Sequence, residues 1–214
     1  QPQSFCRPGL NGTSCYVPRQ RYLSIVPSPE LEIPYAIRVQ LDGDDAEQFL
    51  GYASPPVLMP SAGPGPRNYW VSRLQDEPNF QNWSVLGHEP IYIGDCQISP
   101  GNQYEIQTLP LGEDPFNESS YSSPLLLRTS GKHGDVTGGG EIGYPPDGTA
   151  NLVDVFAIVL GFQNLQHEPK DWLDLEPNTG AARPNLVVSL ADAFAGVQAF
   201  QQQPYPGPHP TECP

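Results

Sequence analysis

Two segments in the last third of the chain share one spacing of oxygen-bearing and apolar residues. The first is Asp147-Gly-Thr-Ala-Asn151-Leu-Val-Asp154-Val, and the second, about 38 residues later, is Asn185-Leu-Val-Val-Ser189-Leu-Ala-Asp192-Ala. Each segment runs directly into apolar residues at helical spacing. An acidic cluster precedes each copy, Asp135-Val-Thr137 and Asp174-Leu-Glu176. The repetition predicts two copies of one loop-and-helix unit within residues 132–203.

The spacing matches calcium-binding loops of the EF-hand type. These loops place oxygen ligands at positions 1, 3, 5, 7, 9 and 12, with a glycine at position 6. If Asp147 is position 5, Gly148 falls on position 6 and Asp154 on position 12. The second copy has Leu186 in place of the glycine, which predicts a weaker site. The predicted calcium ligands are Asp135, Thr137, Asp147, Thr149, Asn151 and Asp154 in the first loop and Asp174, Glu176, Asn185, Val187, Ser189 and Asp192 in the second.

Both predicted loops are interrupted at the same point. The acidic clusters lie 12 residues before Asp147 and 11 residues before Asn185, so each loop carries an insertion of similar size. A shared interruption favours duplication of one loop over two chance motifs. Asp and Asn also occur as N-caps of helices, and that alternative needs no metal. Two copies in one register favour two bound calcium ions.

With two acidic loops that each precede a helix, residues 132–203 resemble the dockerin type I repeat, as found on secreted planctomycete-type proteins. The resemblance implies two calcium ions and two antiparallel helices. In dockerins that bind cohesins, the residues after the ligand at position 9 often carry hydroxyl groups. Here they are Leu152-Val153 and Leu190-Ala191. These apolar residues favour packing against the sandwich or a neighbouring subunit over cohesin recognition.

Residues 21–131 predict an antiparallel β-sandwich. Ile37, Val39 and Leu41 alternate with polar residues, as in a half-buried strand, whereas proline and glycine in 52–66 predict a long loop. The spacing of Ile98, Pro100, Tyr104 and Ile106 resembles the corner between strands E and F of fibronectin type III domains. This resemblance implies a sandwich of fibronectin III or immunoglobulin type in which Tyr104 bonds back to the upstream backbone. Another antiparallel sandwich, with Tyr104 as an ordinary core residue, is the alternative.

Four cysteines allow three disulfide pairings, and none lies in a C-x-x-C motif. We expect a local Cys6–Cys15 bond and a Cys96–Cys213 bond that joins the tail to the sandwich, as in extracellular proteins. Residues 1–20 are then a disulfide-pinned arm with little strand structure, and 204–214 form a proline-rich tail. The chain opens without Met, Lys or Arg and has no apolar run of the roughly 18 residues that a membrane span needs, which indicates a mature secreted product. N-glycosylation motifs occur at Asn11, Asn82 and Asn117.

The charge balance narrows the set of partners. The chain has 10 Lys and Arg against 24 Asp and Glu, a formal charge of −14, which repels nucleic acid and acidic membranes and attracts divalent cations. Its four histidines lack metal-ligand spacing and are expected at the surface, and no nucleophile motif is present, so we predict no enzymatic activity.

The predicted function is a secreted, calcium-binding structural or adhesive protein that associates with copies of itself in a filament or surface matrix. The alternative is a carbohydrate-binding or cellulosome-like anchoring module that binds polysaccharide. Trp70, Trp83 and Tyr92 are the candidate sugar-stacking residues for that alternative, although the core of a sandwich explains them more simply.

Overall fold

The computed structural model describes residues 5–9, 12–16, 19–27, 33–43, 48–60, 68–83, 89–138, 146–165, 170–175, 183–207 and 209–213. Its strands are β1 (Phe5–Gly9), β2 (Gly12–Tyr16), β3 (Leu23–Ile25), β4 (Tyr35–Asp42), β5 (Gln48–Ala53), β6 (Val57–Pro60), β7 (Asn68–Ser72), β8 (Leu74–Gln75), β9 (Ile91–Ile93), β10 (Gln103–Pro110) and β11 (Leu125–Arg128). The α-helices are α1 (Leu152–Phe162), α2 (Lys170–Leu173) and α3 (Leu190–Phe200), and 3-10 helices span Glu118–Ser120 and Pro210–Glu212. In the described ranges, all strands therefore precede the α-helices.

Within the described ranges, nine strands form two sheets that share one hydrophobic core. The five-stranded sheet has the order β11-β10-β4-β5-β8, and the four-stranded sheet has the order β3-β9-β7-β6. Val39 of β4 and Tyr104 of β10 meet Ile91 and Ile93 of β9 in this core, and all four are buried. Because apolar residues of both sheets turn inward, the two sheets form the layers of a β-sandwich. The mainly β prediction for this part of the chain is confirmed.

Strand β4 is buried on both of its faces, not on one. Ile37, Val39 and Leu41 point into the shared core as the alternation predicts. Arg38, on the opposite face, is only 4% exposed because Tyr121 covers it, with the guanidinium carbon 3.4 Å from the ring centroid. Arg38 also pairs with the carboxylate of Glu118 at 2.6 Å. The prediction of a half-buried strand is therefore wrong for the polar face.

Two further strand predictions need correction. Residues 57–60 form the outermost strand, β6, of the four-stranded sheet, within the stretch predicted to be a loop. An edge position tolerates the neighbouring prolines because one side of such a strand needs no partner. The sheets are also not wholly antiparallel, since β7 and β9 pair in parallel.

The N-terminal residues contain more strand than predicted. β1 and β2 pair as an antiparallel hairpin that sets Cys6 opposite Cys15. The expected arm with little strand structure is therefore wrong for residues 5–16. The side chains of this hairpin lie outside the described part of the chain, as does Asn11, so the Cys6–Cys15 disulfide stays a prediction.

Tyr104 makes the backbone contact expected of a tyrosine corner. Its hydroxyl donates a hydrogen bond to the Gln97 carbonyl at 3.0 Å and accepts one from the Ser99 N–H at 2.9 Å. The side chain is fully buried, and burial raises the pKa of its phenol to about 12. This contact fixes the turn that leads from β9 into β10.

The helices α1 and α3 run antiparallel. A Cβ at Gly196 in the middle of α3 would lie 2.5 Å from Cδ1 of Ile158 in the middle of α1, so the glycine permits a close crossing. A Cβ at Gly134 would contact Ala199 near the end of α3 and Ala150 just before α1. The end of one helix therefore lies beside the start of the other.

The helical part is joined to the sandwich covalently and by packing. A disulfide links Cys96, shortly after β9, to Cys213 in the tail, as predicted. Arg19 pairs with the buried carboxylate of Asp171 in α2. Leu186 packs in a cluster with Tyr22, Tyr69 and Val71 of the sandwich. None of the helices in the described ranges is long and apolar enough to cross a membrane.

Candidate functional site

The first loop, residues 135–154, is closed by two buried carboxylates. Asp135 accepts hydrogen bonds from the backbone N–H groups of Asp147 at 3.1 Å and Gly148 at 2.6 Å. These two bonds join the acidic cluster to the segment that follows the insertion. Positions 1, 5 and 6 of the predicted loop are therefore brought together, even though 12 residues separate Asp135 from Asp147 in the chain.

Asp154 closes the other side of the first loop. Its Oδ1 accepts from the N–H groups of Val136 at 2.8 Å and Thr137 at 2.9 Å, and its Oδ2 accepts from Asn151 at 2.8 Å. The Asn151 side chain accepts from the Val153 N–H at 2.7 Å, which completes a capping box at the start of α1. Asp154 thus both caps the helix and holds the start of the loop.

The second loop, residues 174–192, repeats this arrangement. Asp174 Oδ2 accepts from the N–H groups of Asn185 at 2.7 Å and Leu186 at 2.6 Å. Asp192 accepts from the N–H groups of Leu175 and Ser189, each at 2.7 Å, and Ser189 completes a capping box for α3. Asp174 and Asp192 therefore take the places that Asp135 and Asp154 hold in the first loop.

The two residues at position 5 also correspond. Asp147 Oδ1 accepts from the Thr149 N–H at 2.9 Å, and Asn185 Oδ1 accepts from the Val187 N–H at 2.7 Å. Such side-chain bonds to the backbone two residues ahead tighten a turn. The residues at positions 1, 5, 9 and 12 make corresponding hydrogen bonds in the two loops. The two copies therefore share a bonding pattern as well as a sequence spacing.

Leu186 fits the turn that was expected to require glycine. Gly148 has φ 92°, and Leu186 at the same position has φ 59°, so both adopt the left-handed conformation. The leucine side chain is only 6% exposed and packs on Tyr22 and Tyr69. Burial of the side chain therefore offsets the strain of the backbone. Leu186 serves as a contact to the sandwich within a loop of unchanged shape.

Tyr22 contacts the second loop from the sandwich, and no sequence pattern indicated this contact. Its hydroxyl donates to Asp174 Oδ2 at 2.8 Å and accepts from the Leu186 N–H at 3.1 Å. Gly94 makes room for the tyrosine, because a Cβ there would lie 2.4 Å from the ring. Tyr22 comes from the sandwich, 152 residues before Asp174, and no local signal links the two positions.

Each loop holds a pair of buried carboxyl groups whose charges repel. Burial, reinforced by Asp154, raises the pKa of Asp135 to about 6. Burial, reinforced by Asp192, raises the pKa of Asp174 to about 7, and the hydrogen bonds from Tyr22 and the Leu186 N–H, together with the guanidinium of Arg21, partly oppose this shift. Burial also raises the pKa of Asp154. A bound cation would favour the ionised form of each pair.

The oxygen atoms of the first loop are of the types that calcium binds, and the hydrogen bonds that they already accept limit how the ion could bind. Calcium takes oxygen ligands from carboxylates, amides and backbone carbonyls. Each carboxylate oxygen has two acceptor sites. Each Asp135 oxygen accepts one N–H bond and keeps one site, whereas Asp154 Oδ1 already accepts two and only its Oδ2 keeps one. Asp154 would therefore bind an ion through one oxygen and not through two.

The other predicted ligands differ in their exposure and in the hydrogen bonds that their side chains already make. Asn151 and Ser189 use their side-chain oxygens as helix caps. Thr137 is buried, and Thr149 and Val187 are exposed. Glu176 lies outside the described residues. Within the described ranges, no three His, Cys, Asp or Glu residues lie close enough to form a metal cluster. An ion in either loop would thus depend on two carboxylates together with amide, hydroxyl and carbonyl oxygens.

His133 contradicts the expectation that the histidines are solvated. It is 8% exposed and packs edge-on against Tyr205, with ring centroids 4.9 Å apart. Burial, with a smaller effect of Arg21, lowers the pKa of His133 to about 4. His209 is exposed as expected, while His88 and His167 lie outside the described residues.

The predicted sugar-stacking residues do not form a platform. Trp83 is fully buried and donates a hydrogen bond to the Tyr35 carbonyl at 2.7 Å, so it belongs to the core. Trp70 is half-buried, and Tyr92 packs edge-on against Tyr69. Of the predicted glycosylation sites, Asn82 is half-buried and Asn117 is exposed.

No protein-family model, curated protein or solved structure matches this chain. The candidate site is therefore defined by the geometry of the two loops.

Proposed function

We propose that residues 132–203 form a calcium-stabilised, dockerin-like module, and that the chain is a secreted structural or adhesive protein. One observation carries the proposal: in both loops, two buried carboxylates meet across an insertion and accept corresponding backbone N–H bonds. Capping alone would use only the second carboxylate of each loop. The first carboxylate, Asp135 or Asp174, brings an additional buried negative charge that a cation would compensate.

The first loop is the better calcium site of the two. Its tip residues Asp147, Gly148 and Thr149 are exposed, so an ion and its water ligands have access. Because no three carboxylates of the described residues lie close enough to share an ion, Asp135 and Asp154 would supply the two carboxylates, with the Thr149 carbonyl at position 7. In the second loop, Asp174 Oδ2 already accepts three hydrogen bonds, and Arg21 supplies a nearby positive charge. Asp174, Asn185 and Asp192 would hold the second ion more weakly.

The role assigned to the module is to stabilise the fold and not to catalyse a reaction. Its helices are short, and isolated helices of about 12 residues are marginal in water. Calcium at about ten times its dissociation constant would stabilise the folded state by about 1.4 kcal/mol per site. The Cys96–Cys213 disulfide supports an extracellular location, because such bonds persist in oxidising compartments.

Thermal unfolding in calcium and in chelator tests this proposal. We expect calcium to raise the melting temperature of the wild-type chain and the Asp154→Ala and Asp192→Ala variants each to lose part of that rise. Both variants also lose backbone hydrogen bonds, so the chelator series of each variant is its own control. A wild-type melting temperature that is equal in calcium and in chelator would contradict the proposal.

A further inference from the structure

The pair α1 and α3 exposes large apolar side chains at matched positions. Leu152, Phe156 and Phe162 of α1 correspond to Leu190, Phe194 and Phe200 of α3, each 38 residues later. All six, with Leu165, are between 43% and 69% exposed. These seven residues are called the helix-pair surface. The sequence favoured packing of Leu152 and Leu190 against the sandwich or a neighbouring subunit, and their exposures of 57% and 69% show that they do not pack against the sandwich.

The helix-pair surface is larger than solitary exposed residues would produce. Its four phenylalanines leave on the order of 400 Å² of aromatic area exposed. Its three leucines bring the total toward the roughly 800 Å² that each partner buries in a standard protein interface. Monomeric proteins rarely expose apolar patches of this size. The area is therefore sufficient for a stable contact.

The charge of the surface indicates the kind of partner. The chain has a formal charge of −14, yet the only charged residues of α1 and α3 are Asp154 and Asp192, both buried. Two copies could therefore meet here without bringing exposed carboxylates of these two helices together. A strongly basic partner would find no charge to bind on these helices.

The antiparallel arrangement makes the surface suitable for a second copy. The crossing of Ile158 with Gly196 sets Phe200 level with the start of α1, and Leu190 level with the end of α1. Each end of the pair thus presents a leucine from one helix and a phenylalanine from the other. Because both ends carry the same pair of residue types, the surface can face the same surface of a second copy across a two-fold axis.

We propose that the helix-pair surface is the contact between two copies of this chain in a symmetric dimer. The proposal rests on the structural role assigned above and names the partner for it. A symmetric contact of this kind closes on itself. A filament or matrix would need a second contact elsewhere on the chain.

Analytical ultracentrifugation over a range of concentrations in calcium tests the dimer. We expect the wild-type chain to form a dimer. The double variant Phe156→Ser, Phe194→Ser should raise the dissociation constant of that dimer at least tenfold. The control variant Leu111→Ser, Phe116→Ser removes side chains that are 60% and 93% exposed outside the helices. The control should dimerise as the wild type does.

Three outcomes would overturn the proposal: a wild type that stays monomeric up to about 1 mM, a dimer unaffected by the helix variant, or one weakened equally by the control. Melting curves of the same samples separate this proposal from the calcium proposal. A monomer whose melting temperature falls in chelator would refute the dimer and leave calcium binding intact. A dimer that the helix variant weakens, together with a melting temperature that chelator does not change, would refute calcium binding and support the dimer.

Discussion

The first and second loops share one hydrogen-bonding pattern and have different surroundings. The first places Asp147, Gly148 and Thr149 in solvent. The second places Leu186 in a cluster with sandwich residues and gives Asp174 a tyrosine hydroxyl as an additional donor. The comparison teaches that a duplicated loop can keep its bonds while one copy becomes part of a contact between two regions of the chain.

The residue at position 6 accounts for much of this difference. A left-handed backbone costs a residue other than glycine about 1–2 kcal/mol. Burying a leucine side chain contributes about 1.5–3 kcal/mol. The second effect is the larger for Leu186, which is almost fully buried, whereas Gly148 has no neighbour within 4 Å that a side chain could contact. The two loops therefore require different residues at the same position.

The largest effect expected from this comparison is that of Leu186→Ala. The variant keeps the backbone strain and loses the buried side chain, so the free energy of unfolding should fall by about 2–5 kcal/mol. Gly148→Ala is the matched change in the first loop, and it should cost only the strain, about 1–2 kcal/mol. Urea unfolding measures both. Equal losses in the two variants would show that Leu186 contributes little to the contact with the sandwich.

Tyr22→Phe should have the next largest effect. It removes the hydroxyl that donates to Asp174 and accepts from the Leu186 N–H, while the ring stays in place. We expect a loss of about 1–3 kcal/mol in the free energy of unfolding. Tyr52→Phe, which removes a buried hydroxyl bonded to Tyr121, is a control for the loss of one phenol bond away from the loops.

The Tyr22→Phe loss should be the same in calcium and in chelator if the tyrosine acts as a structural donor. A larger loss of unfolding free energy in calcium would instead indicate that Tyr22 belongs to an ion site. Tyr22 would then no longer distinguish the second loop as a structural contact.

The smallest effect concerns how calcium stabilisation divides between the loops. Asp135→Asn and Asp174→Asn remove equivalent negative charges, and the amide oxygen of each variant can still accept N–H bonds in place of one carboxylate oxygen. The calcium-dependent part of the unfolding free energy, about 1.4 kcal/mol per site at tenfold excess, should fall further in Asp135→Asn. Melts in calcium and in chelator give this part directly. A greater fall in Asp174→Asn would reverse the assignment of the stronger site.

Local patterns predicted the features that depend on neighbouring residues. The spacing of the two repeated segments, which include Asp154 and Asp192, indicated both helices, and the motif around Tyr104 indicated its bond to the upstream backbone. Alternation along β4 identified the residues of the core. In each case the interacting groups lie within one element or one turn, where periodicity and turn chemistry report directly on structure.

The remaining features depend on contacts between residues far apart in the chain. Leu186 was expected to weaken its calcium site because it replaces the glycine of position 6, and its contact with Tyr22, 164 residues away, had no local signal. His133 was expected in solvent, yet Tyr205 covers it. Arg38 was expected on a polar face, and Tyr121 buries that face. Tertiary packing determines whether such side chains are buried, and the residues of a single segment do not show which distant residues will cover it.

The disulfide between Cys96 and Cys213 also sets the path that mechanical tension takes through the molecule. It joins residues 117 positions apart, and α1, α2, α3 and both loops lie between them. A pulling force applied at Cys213 passes through the sulfur atoms to Cys96 and so reaches the sandwich without crossing the helical part. The two loops are thereby shielded from a load applied at that point.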